Sequence, residues 1–258
     1  MATATTSDFL GVPINLLTPD EAFIRLLKWA DQGRREYVTL VNPHSVLTCV
    51  RDARMRSAIL GSGLALPDGV GITLAARILG YGRACRLAGP SLMLDVSNWG
   101  RKQGLRHFFY GGGPGVAEAL AQRLAKHFPG LTIAGTLCPP FCALTPDEDA
   151  AFVARINAAK PDIVWVGLGT GKQEKWMAAH VGQIDAAALI GVGAAFDFHA
   201  GTIPWAPAWV RRAGLEWAYR LAHEPRRLWR RNLDSPVFLA RILAQRFWGI
   251  RPQAEAET

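Results

Sequence analysis

An aspartate stands in the turn Pro67-Asp68-Gly69-Val70-Gly71, directly after a short apolar run at residues 64–66. A carboxylate at the tip of a loop can take a proton from a hydroxyl group that attacks another molecule. The flanking glycines, Gly69 and Gly71, let the backbone approach a ligand closely. An ordinary Pro-Asp-Gly turn, in which the aspartate serves only the turn, explains the same residue types. The loop therefore predicts a candidate base at Asp68 and leaves the purely structural alternative open.

A second candidate is the glycine-rich turn Gly111-Gly112-Gly113-Pro114-Gly115, which precedes a predicted helix. Backbone N–H groups and the positive end of a helix can bind phosphate there. Val116 occupies the position of the last glycine in GxGxxG, and the next strand lacks the acidic residue that grips a ribose. A nicotinamide is therefore disfavoured, and we predict no cofactor. A tight strand-to-helix turn without a ligand is the alternative.

The acidic run Asp147-Glu148-Asp149 has the DxD form that holds a metal and a diphosphate in many transferases. It directly follows Thr145-Pro146, and acids in a first helical turn interact favourably with the helix dipole. We therefore interpret the run as a helix start. The four cysteines lack the paired spacing of a zinc site, so we predict no metal.

Basic charge is concentrated near the C-terminus. Residues 201–258 hold ten arginines, no lysine and five acids, or +5 of the net charge of +8. Arg220, Arg227 and Arg230 could share a helical face, although Pro225 interrupts the run. Arginine forks bind phosphate, and arginine with tryptophan suits a helix in the lipid headgroup layer. A solvated basic face is the alternative, and the lack of a nucleic-acid motif disfavours nucleic-acid binding.

These residues need a scaffold, and residues 9–200 alternate apolar runs with helical patterns, as βαβ units do. Ligands bind beyond the carboxyl ends of parallel strands, where Asn42, Asp68 and the turns at residues 111–115 and 169–173 are predicted to lie. We predict an α/β fold with a Rossmann-like, mostly parallel sheet core at residues 1–200. A helical, membrane-docking appendage is expected at residues 201–250 and a disordered tail at residues 251–258.

The N-terminus has no signal-peptide pattern, and no apolar stretch is long enough to span a bilayer.

Six ordered motifs resemble the WecG/TagA/CpsF family of bacterial glycosyltransferases, glycosyltransferase family 26. They are Val41-Asn42-Pro43, Pro67-Asp68-Gly69-Val70-Gly71, Gly169-Thr170-Gly171-Lys172-Gln173-Glu174-Lys175-Trp176, Gly191-Val192-Gly193-Ala194-Ala195-Phe196-Asp197-Phe198, Gly214-Leu215-Glu216-Trp217 and Glu224-Pro225-Arg226-Arg227-Leu228-Trp229-Arg230-Arg231, with Arg86 between the second and the third. The resemblance runs from about residue 9 to 245.

The resemblance implies an inverting, metal-independent transfer from a UDP-sugar to a saccharide on a polyprenyl diphosphate. It places such an enzyme in the cytoplasm, peripherally on the inner face of the cell membrane. It implies that Asp68 is the base and that appendage arginines bind the diphosphate: Arg220, Arg227 and Arg230. The predicted substrate-binding residues are Asn42, Gly69, Gly71, Arg86, Gly111, Gly112, Gln173, Glu174 and Asp197.

Some positions depart from the family pattern. Leu40 stands where threonine is frequent, and Gly89-Pro90-Ser91 replaces a frequent Gly-Thr-Asp. Asn42-Pro43-His44-Ser45 and Cys138-Pro139-Pro140-Phe141 look closer to exopolysaccharide members such as the xanthan-assembly glucosyltransferase. This favours a UDP-hexose donor, such as UDP-glucose, over UDP-N-acetylmannosamine. The alternative function is a membrane-docking, nucleotide-binding scaffold protein without transferase activity, and a homo-oligomer is compatible with the sequence.

Overall fold

The computed structural model describes residues 6–82 and 84–249. The strands are β1 (Thr6–Phe9), β2 (Val12–Asn15), β3 (Glu36–Val41), β4 (Leu64–Pro67), β5 (Arg106–Gly111), β6 (Thr132–Leu137), β7 (Ile163–Gly167) and β8 (Ala188–Gly191). The helices are α1 (Pro19–Asp31), α2 (Pro43–Arg51), α3 (Ala53–Leu60), α4 (Val70–Leu79), α5 (Gly89–Gly100), α6 (Val116–His127), α7 (Pro146–Ala158), α8 (Lys172–His180), α9 (Ala195–Ala200), α10 (Ala208–Arg212), α11 (Glu216–His223) and α12 (Pro225–Trp248).

Six strands form a single parallel sheet in the order β4-β3-β8-β7-β5-β6. Parallel sheets are covered by helices on both faces, which is why β3, β7 and β8 read as nearly continuous apolar runs. The first two strands form a separate antiparallel hairpin. The predicted Rossmann-like α/β fold, with helices at the C-terminus, is confirmed.

The helix that follows Thr145 begins as its sequence predicts. The Thr145 side chain accepts from the Glu148 N–H, and the Glu148 carboxylate accepts from the Thr145 N–H, which forms a capping box. Asp149 Oδ2 lies 2.8 Å from Nε2 of His180 on α8. Two acids of the DxD-like run therefore have structural partners, and the helix-start interpretation is confirmed.

Two helices have features that depend on capping and on tertiary contacts. The segment between β3 and β4 forms two helices because Asp52 Oδ1 accepts from the Met55 N–H and caps α3. Pro236 lies inside α12. Proline inside a helix costs about 3 kcal/mol. Buried side chains that follow it in α12 offset this cost.

The second half of α12 belongs to the hydrophobic core. Phe238 and Ile242 are fully buried and pack in one cluster with residues of α2 and α4. The Gln245 side chain accepts from the Leu10 N–H at 2.9 Å and donates to the Asp8 carbonyl at 3.2 Å. The predicted appendage at residues 201–250 therefore contributes to the core, whereas the predicted disordered tail at residues 251–258 lies outside the described residues.

Large apolar side chains are exposed on the three C-terminal helices. They include Trp209, Trp217, Trp229, Phe247 and Trp248. Among the described residues, no helix combines the length and the apolar character needed to cross a bilayer.

Replacing Phe238 by alanine removes a buried ring from the contact between α12 and the core. We expect the Phe238→Ala substitution to lower the free energy of unfolding by about 3–5 kcal/mol, measured by urea denaturation. Phe247→Ala, on the same helix but 70% exposed, serves as the control and should change it by at most about 0.5 kcal/mol. Equal, small effects of the two substitutions would show that α12 is not part of the core.

Candidate active site

The carboxyl ends of neighbouring parallel strands form one rim, and most of the predicted site residues lie there. Asn42 follows β3, Asp68 follows β4, and Gly111 ends β5. Residues 169–174 follow β7, and Gly193 follows β8. Because β4, β3, β8, β7 and β5 are consecutive in the sheet, their loops line a continuous cleft edge.

The loops after β3 and β4 are held together by a backbone hydrogen bond and by close packing. The Asp68 N–H donates to the Val41 carbonyl at 2.8 Å. A Cβ atom at Gly71 would overlap the Pro43 ring, so only glycine allows this approach. Gly69 has φ of 84°, a conformation that favours glycine, and it precedes the first turn of α4. Asp68 is thus held beside Asn42, whose side-chain oxygen caps α2 by accepting from the Ser45 N–H.

The Asp68 carboxyl lies among charged groups. Burial raises its pKa above the ordinary value for aspartate, and Glu216 raises it further. Arg231, Arg86 and Arg220 act in the opposite direction, since each cation favours the ionised carboxylate. An aspartate with a raised pKa is a stronger proton acceptor than a solvated one, as a general base requires.

Arg86 links the cleft to the C-terminal helices. Its Nη2 donates to Glu216 Oε2 at 2.7 Å, and Trp205 Nε1 donates to the other carboxylate oxygen at 3.2 Å. The Arg211 guanidinium lies 3.7 Å from the centre of the Trp205 ring, which adds a cation–π contact. Glu216 therefore joins Arg86 to the segment that carries the appendage arginines.

Gln173 has an unused acceptor inside the cleft. Its side chain is 4% exposed, and its Nε2 donates to Glu174 Oε1 at 3.1 Å. Its Oε1 has no hydrogen-bond partner among the described residues and lies beside Gly193. A buried acceptor without a partner costs about 1–3 kcal/mol, so a ligand or water that donates to it would be stabilising.

Glu174 has a structural contact as well as a place at the site. Its Oε2 accepts from the Gly171 N–H at 2.5 Å and caps α8, and burial raises its pKa. Asp197 is half-buried on α9, where Thr202 donates to its side chain at 3.3 Å.

The glycines at the end of β5 are explained by packing. A Cβ atom at Gly111, which has φ of 124°, would lie 2.7 Å from the backbone of Gly167. The Gly112 N–H donates to the Gly167 carbonyl at 3.0 Å. This N–H is therefore used inside the protein and is not directed at a phosphate in this conformation.

The three predicted diphosphate-binding arginines differ in position. The charge of Arg220 acts on Asp68, and its guanidinium lies 5.3 Å from the centre of the Phe198 ring. Arg227 is exposed and donates to Glu224 at 2.7 Å. Arg230 is exposed, with its guanidinium 5.1 Å from the centre of the Trp229 ring. The structure thus brings Arg220 to the base and does not bring Arg230 there.

Arg231 is the site residue that sequence reasoning missed. Its charge acts on both Asp68 and Glu174. Arg220, Arg227 and Arg230 were predicted to share one helical face, but the chain breaks between α11 and α12 at Pro225. The spacing of the apolar residues Leu228 and Phe238 could have identified the inner face of α12. Arg231 lies three residues after Leu228 and seven before Phe238, so it lies on the same face.

The comparison with protein families agrees with these motifs. The model of the glycosyl transferase WecG/TagA/CpsF family matches residues 7–252. The chain belongs to the WecG/TagA/CpsF family of glycosyltransferases. This membership supports the predicted transferase over the scaffold protein. Within the described residues, no cluster of three or more His, Cys, Asp or Glu side chains is arranged to hold a metal ion.

Three curated relatives share the enzyme name N-acetylglucosaminyldiphosphoundecaprenol N-acetyl-beta-D-mannosaminyltransferase. The chain is 29% identical to the protein from Bacillus subtilis strain 168 over 84% of its own length and 82% of the relative. It is 28% identical to that from Bacillus spizizenii over 83% and 81% of the two chains. For that from Staphylococcus aureus strain MW2, the identity is 27% over 80% and 79%.

A methyl group at Gly71 should force the Asn42 and Asp68 loops apart. We expect Gly71→Ala to lower the free energy of unfolding by about 1–3 kcal/mol, because the new atom overlaps Pro43. The control is Gly113→Ala, since a Cβ there meets its nearest neighbour at 3.6 Å, an ordinary contact. Urea denaturation of both variants tests this contact, and equal stability of the two would contradict it.

Proposed function

We propose that this glycosyltransferase moves a sugar from a UDP-sugar to a saccharide on a polyprenyl diphosphate, with inversion and without a metal. The main support is the position of Asp68, a half-buried aspartate with a raised pKa on the rim of a parallel sheet, among several guanidinium groups. The relatives' names describe an acceptor of the same kind, a saccharide on undecaprenyl diphosphate.

The reaction follows from these groups. Asp68 takes the proton from an acceptor hydroxyl as its oxygen attacks the anomeric carbon of the donor sugar. The new C–O bond forms on the opposite face from the breaking bond to UDP, which inverts the configuration. Arg86, Arg220 and Arg227 lie in or next to this cleft and offer planar donor groups for the diphosphate oxygens. These cations perform the charge neutralisation that a metal performs elsewhere.

The donor sugar is a further part of the proposal. Leu40 is buried, and its Cδ1 would lie 3.0 Å from a Cβ at Gly89, so the position offers an apolar contact and no hydroxyl. The motifs Asn42-Pro43-His44-Ser45 and Cys138-Pro139-Pro140-Phe141, which resemble those of exopolysaccharide members, support a UDP-hexose such as UDP-glucose and a role in exopolysaccharide synthesis. The relatives' names favour UDP-N-acetylmannosamine instead. Turnover with a panel of UDP-sugars and lipid-linked acceptors decides between the two donors.

Removing the base should abolish transfer while the fold is retained. We expect Asp68→Asn to lower kcat by about 10²–10⁴-fold, because the amide cannot accept the proton. The matched control is Asp147→Asn in the first turn of α7, which should leave kcat unchanged. Turnover close to the unsubstituted enzyme in Asp68→Asn would contradict the assignment, and calorimetric titration with UDP checks that the donor site persists.

The raised pKa of Asp68 predicts the pH dependence of transfer. Only the ionised carboxylate accepts a proton, so kcat/KM should fall as the pH drops through this pKa. Because burial raises the pKa, the midpoint should lie above the value of about 3.9 for a solvated aspartate. Rates measured from neutral pH downwards test this, and a rate that stays constant down to about pH 4 would contradict it.

We also propose that the C-terminal helices dock on the inner face of the cell membrane. Trp209 is 69% exposed and Trp217 is 54% exposed, and both lie close in sequence to the arginines of α10 and α11. Tryptophan and arginine side chains together favour the headgroup layer of anionic lipids.

Substituting both tryptophans should weaken this docking. We expect the Trp209→Ala/Trp217→Ala double variant to sediment less with phosphatidylglycerol-containing vesicles than the unsubstituted protein. Ile24→Ala, which changes an exposed apolar residue of α1, serves as the control and should not alter sedimentation. Equal sedimentation of all three proteins would contradict docking through these helices.

A further inference from the structure

We propose that Arg231 is a positioning residue for the transfer, with its guanidinium facing Asp68 and Glu174 and holding Asp68 in the ionised form that accepts the proton. This inference rests on the proposed function, because it assigns Asp68 the role of base. It adds a residue to the three appendage arginines that the family resemblance assigns to the diphosphate.

The orientation of α12 turns Arg231 towards the core. Phe238 follows Arg231 by seven residues, or nearly two turns, so the two side chains project within about 20° of each other. Phe238 is fully buried against α2 and α4, and Leu228, one turn before Arg231, is buried as well. Arg231 therefore lies on the face of α12 that meets the core.

A direct contact between α12 and α2 shows where this face lies relative to the cleft. Asp234 Oδ2, nearly one turn beyond Arg231, lies 2.5 Å from His44 Nδ1. His44 is in the first turn of α2, two residues after Asn42. This pair sets α12 over the start of α2, beside the Asp68 loop that Gly71 and Pro43 hold in contact.

Charged groups of both signs surround Asp68. Among the residues that the structure describes, those that act on it are Arg231, Arg86, Arg220 and Glu216. Glu216 engages Arg86 in a direct ion pair, which reduces the effect of Arg86 on Asp68.

Two acidic and two basic side chains act on the charge of Arg231. Asp68 and Glu174 stabilise its cation, whereas Arg220 and Arg227 oppose it, and burial lowers its pKa. Two buried carboxyls near each other do not both ionise readily without a cation. Within the described residues, Arg231 is the cation that acts on both Asp68 and Glu174.

The neighbouring residue Arg230 lies on a different face of α12 from Arg231. It is one residue away, about 100° round the helix, and its exposed side chain stacks on Trp229. The family resemblance assigns the diphosphate to Arg230, whereas the packing of α12 directs Arg231 towards the base.

The test compares Arg231→Gln with Arg231→Lys, Arg230→Gln and the exposed control Arg226→Gln, all in the full-length protein. We expect Arg231→Gln to move the acidic limb of the pH profile of kcat/KM upwards by about one unit, which lowers kcat/KM by up to about tenfold at pH values below the limb. Raising the pH should restore part of the rate. Arg231→Lys keeps the charge and should keep the limb close to its original position, and Arg226→Gln should change neither quantity.

Two outcomes would overturn the proposal. One is a loss in Arg231→Gln that is equal at every pH, because a purely structural role would produce it. The other is a shift of the acidic limb in Arg230→Gln that is as large as the shift in Arg231→Gln.

A second measurement separates this proposal from the proposed function. NMR titration of ¹³C-labelled aspartate carboxyls, with Asp68→Asn to assign the signal, reports the pKa of Asp68 without any turnover. A higher pKa in Arg231→Gln supports the pairing even if no acceptor is turned over, in which case only the proposed function fails. An unchanged pKa in Arg231→Gln would overturn the pairing even if transfer is observed.

Discussion

The packing of α12 across α2 and α4 is the contact on which the site depends. Helix α2 begins directly after Asn42 and α4 begins two residues after Asp68, so the helix that covers them also covers the cleft edge. Burial of each large apolar side chain contributes about 1.5–3 kcal/mol, and Phe238 and Ile242 supply two such side chains. A charged residue on the same face of α12 is then held near the base by apolar packing as well as by electrostatic attraction.

This packing explains how one cleft tolerates several charges of both signs. Carboxylates removed from water are stabilised only when cations lie close, and the interaction strengthens as the surroundings become less polar. Arg86 is paired with Glu216, and Arg231 acts on Asp68 and Glu174. The N-terminal half of α12 and α11 thus complete a charge network that begins on the sheet rim.

Sequence patterns predicted the parts of the site that depend on local structure. The strand ends placed Asn42 and Asp68 on one rim, and the Thr145 cap explained the acidic run without a metal. The side of α12 that carries Arg231 was not predicted, because it depends on which apolar residues reach the core. The position of Pro236 inside α12 depends on the same contacts, since they offset its local cost.

The fold also changes how the C-terminal segment should be tested. Truncation after residue 201 would remove Phe238 and Ile242 from the core, so loss of activity in a truncated protein would not isolate a membrane-docking role. Single substitutions on the exposed faces of α10 and α11 leave the core contacts of α12 intact.

The central claim is that the arginine-bearing helix α12 is a fixed part of the catalytic core. Native-state hydrogen exchange of backbone amides tests it most directly, because amides in packed core helices open only with large-scale unfolding. We predict that the amides of residues 231–245 are protected as strongly as those of α2. Exchange of residues 231–245 at the rate of surface loops, with α2 still protected, would contradict the claim.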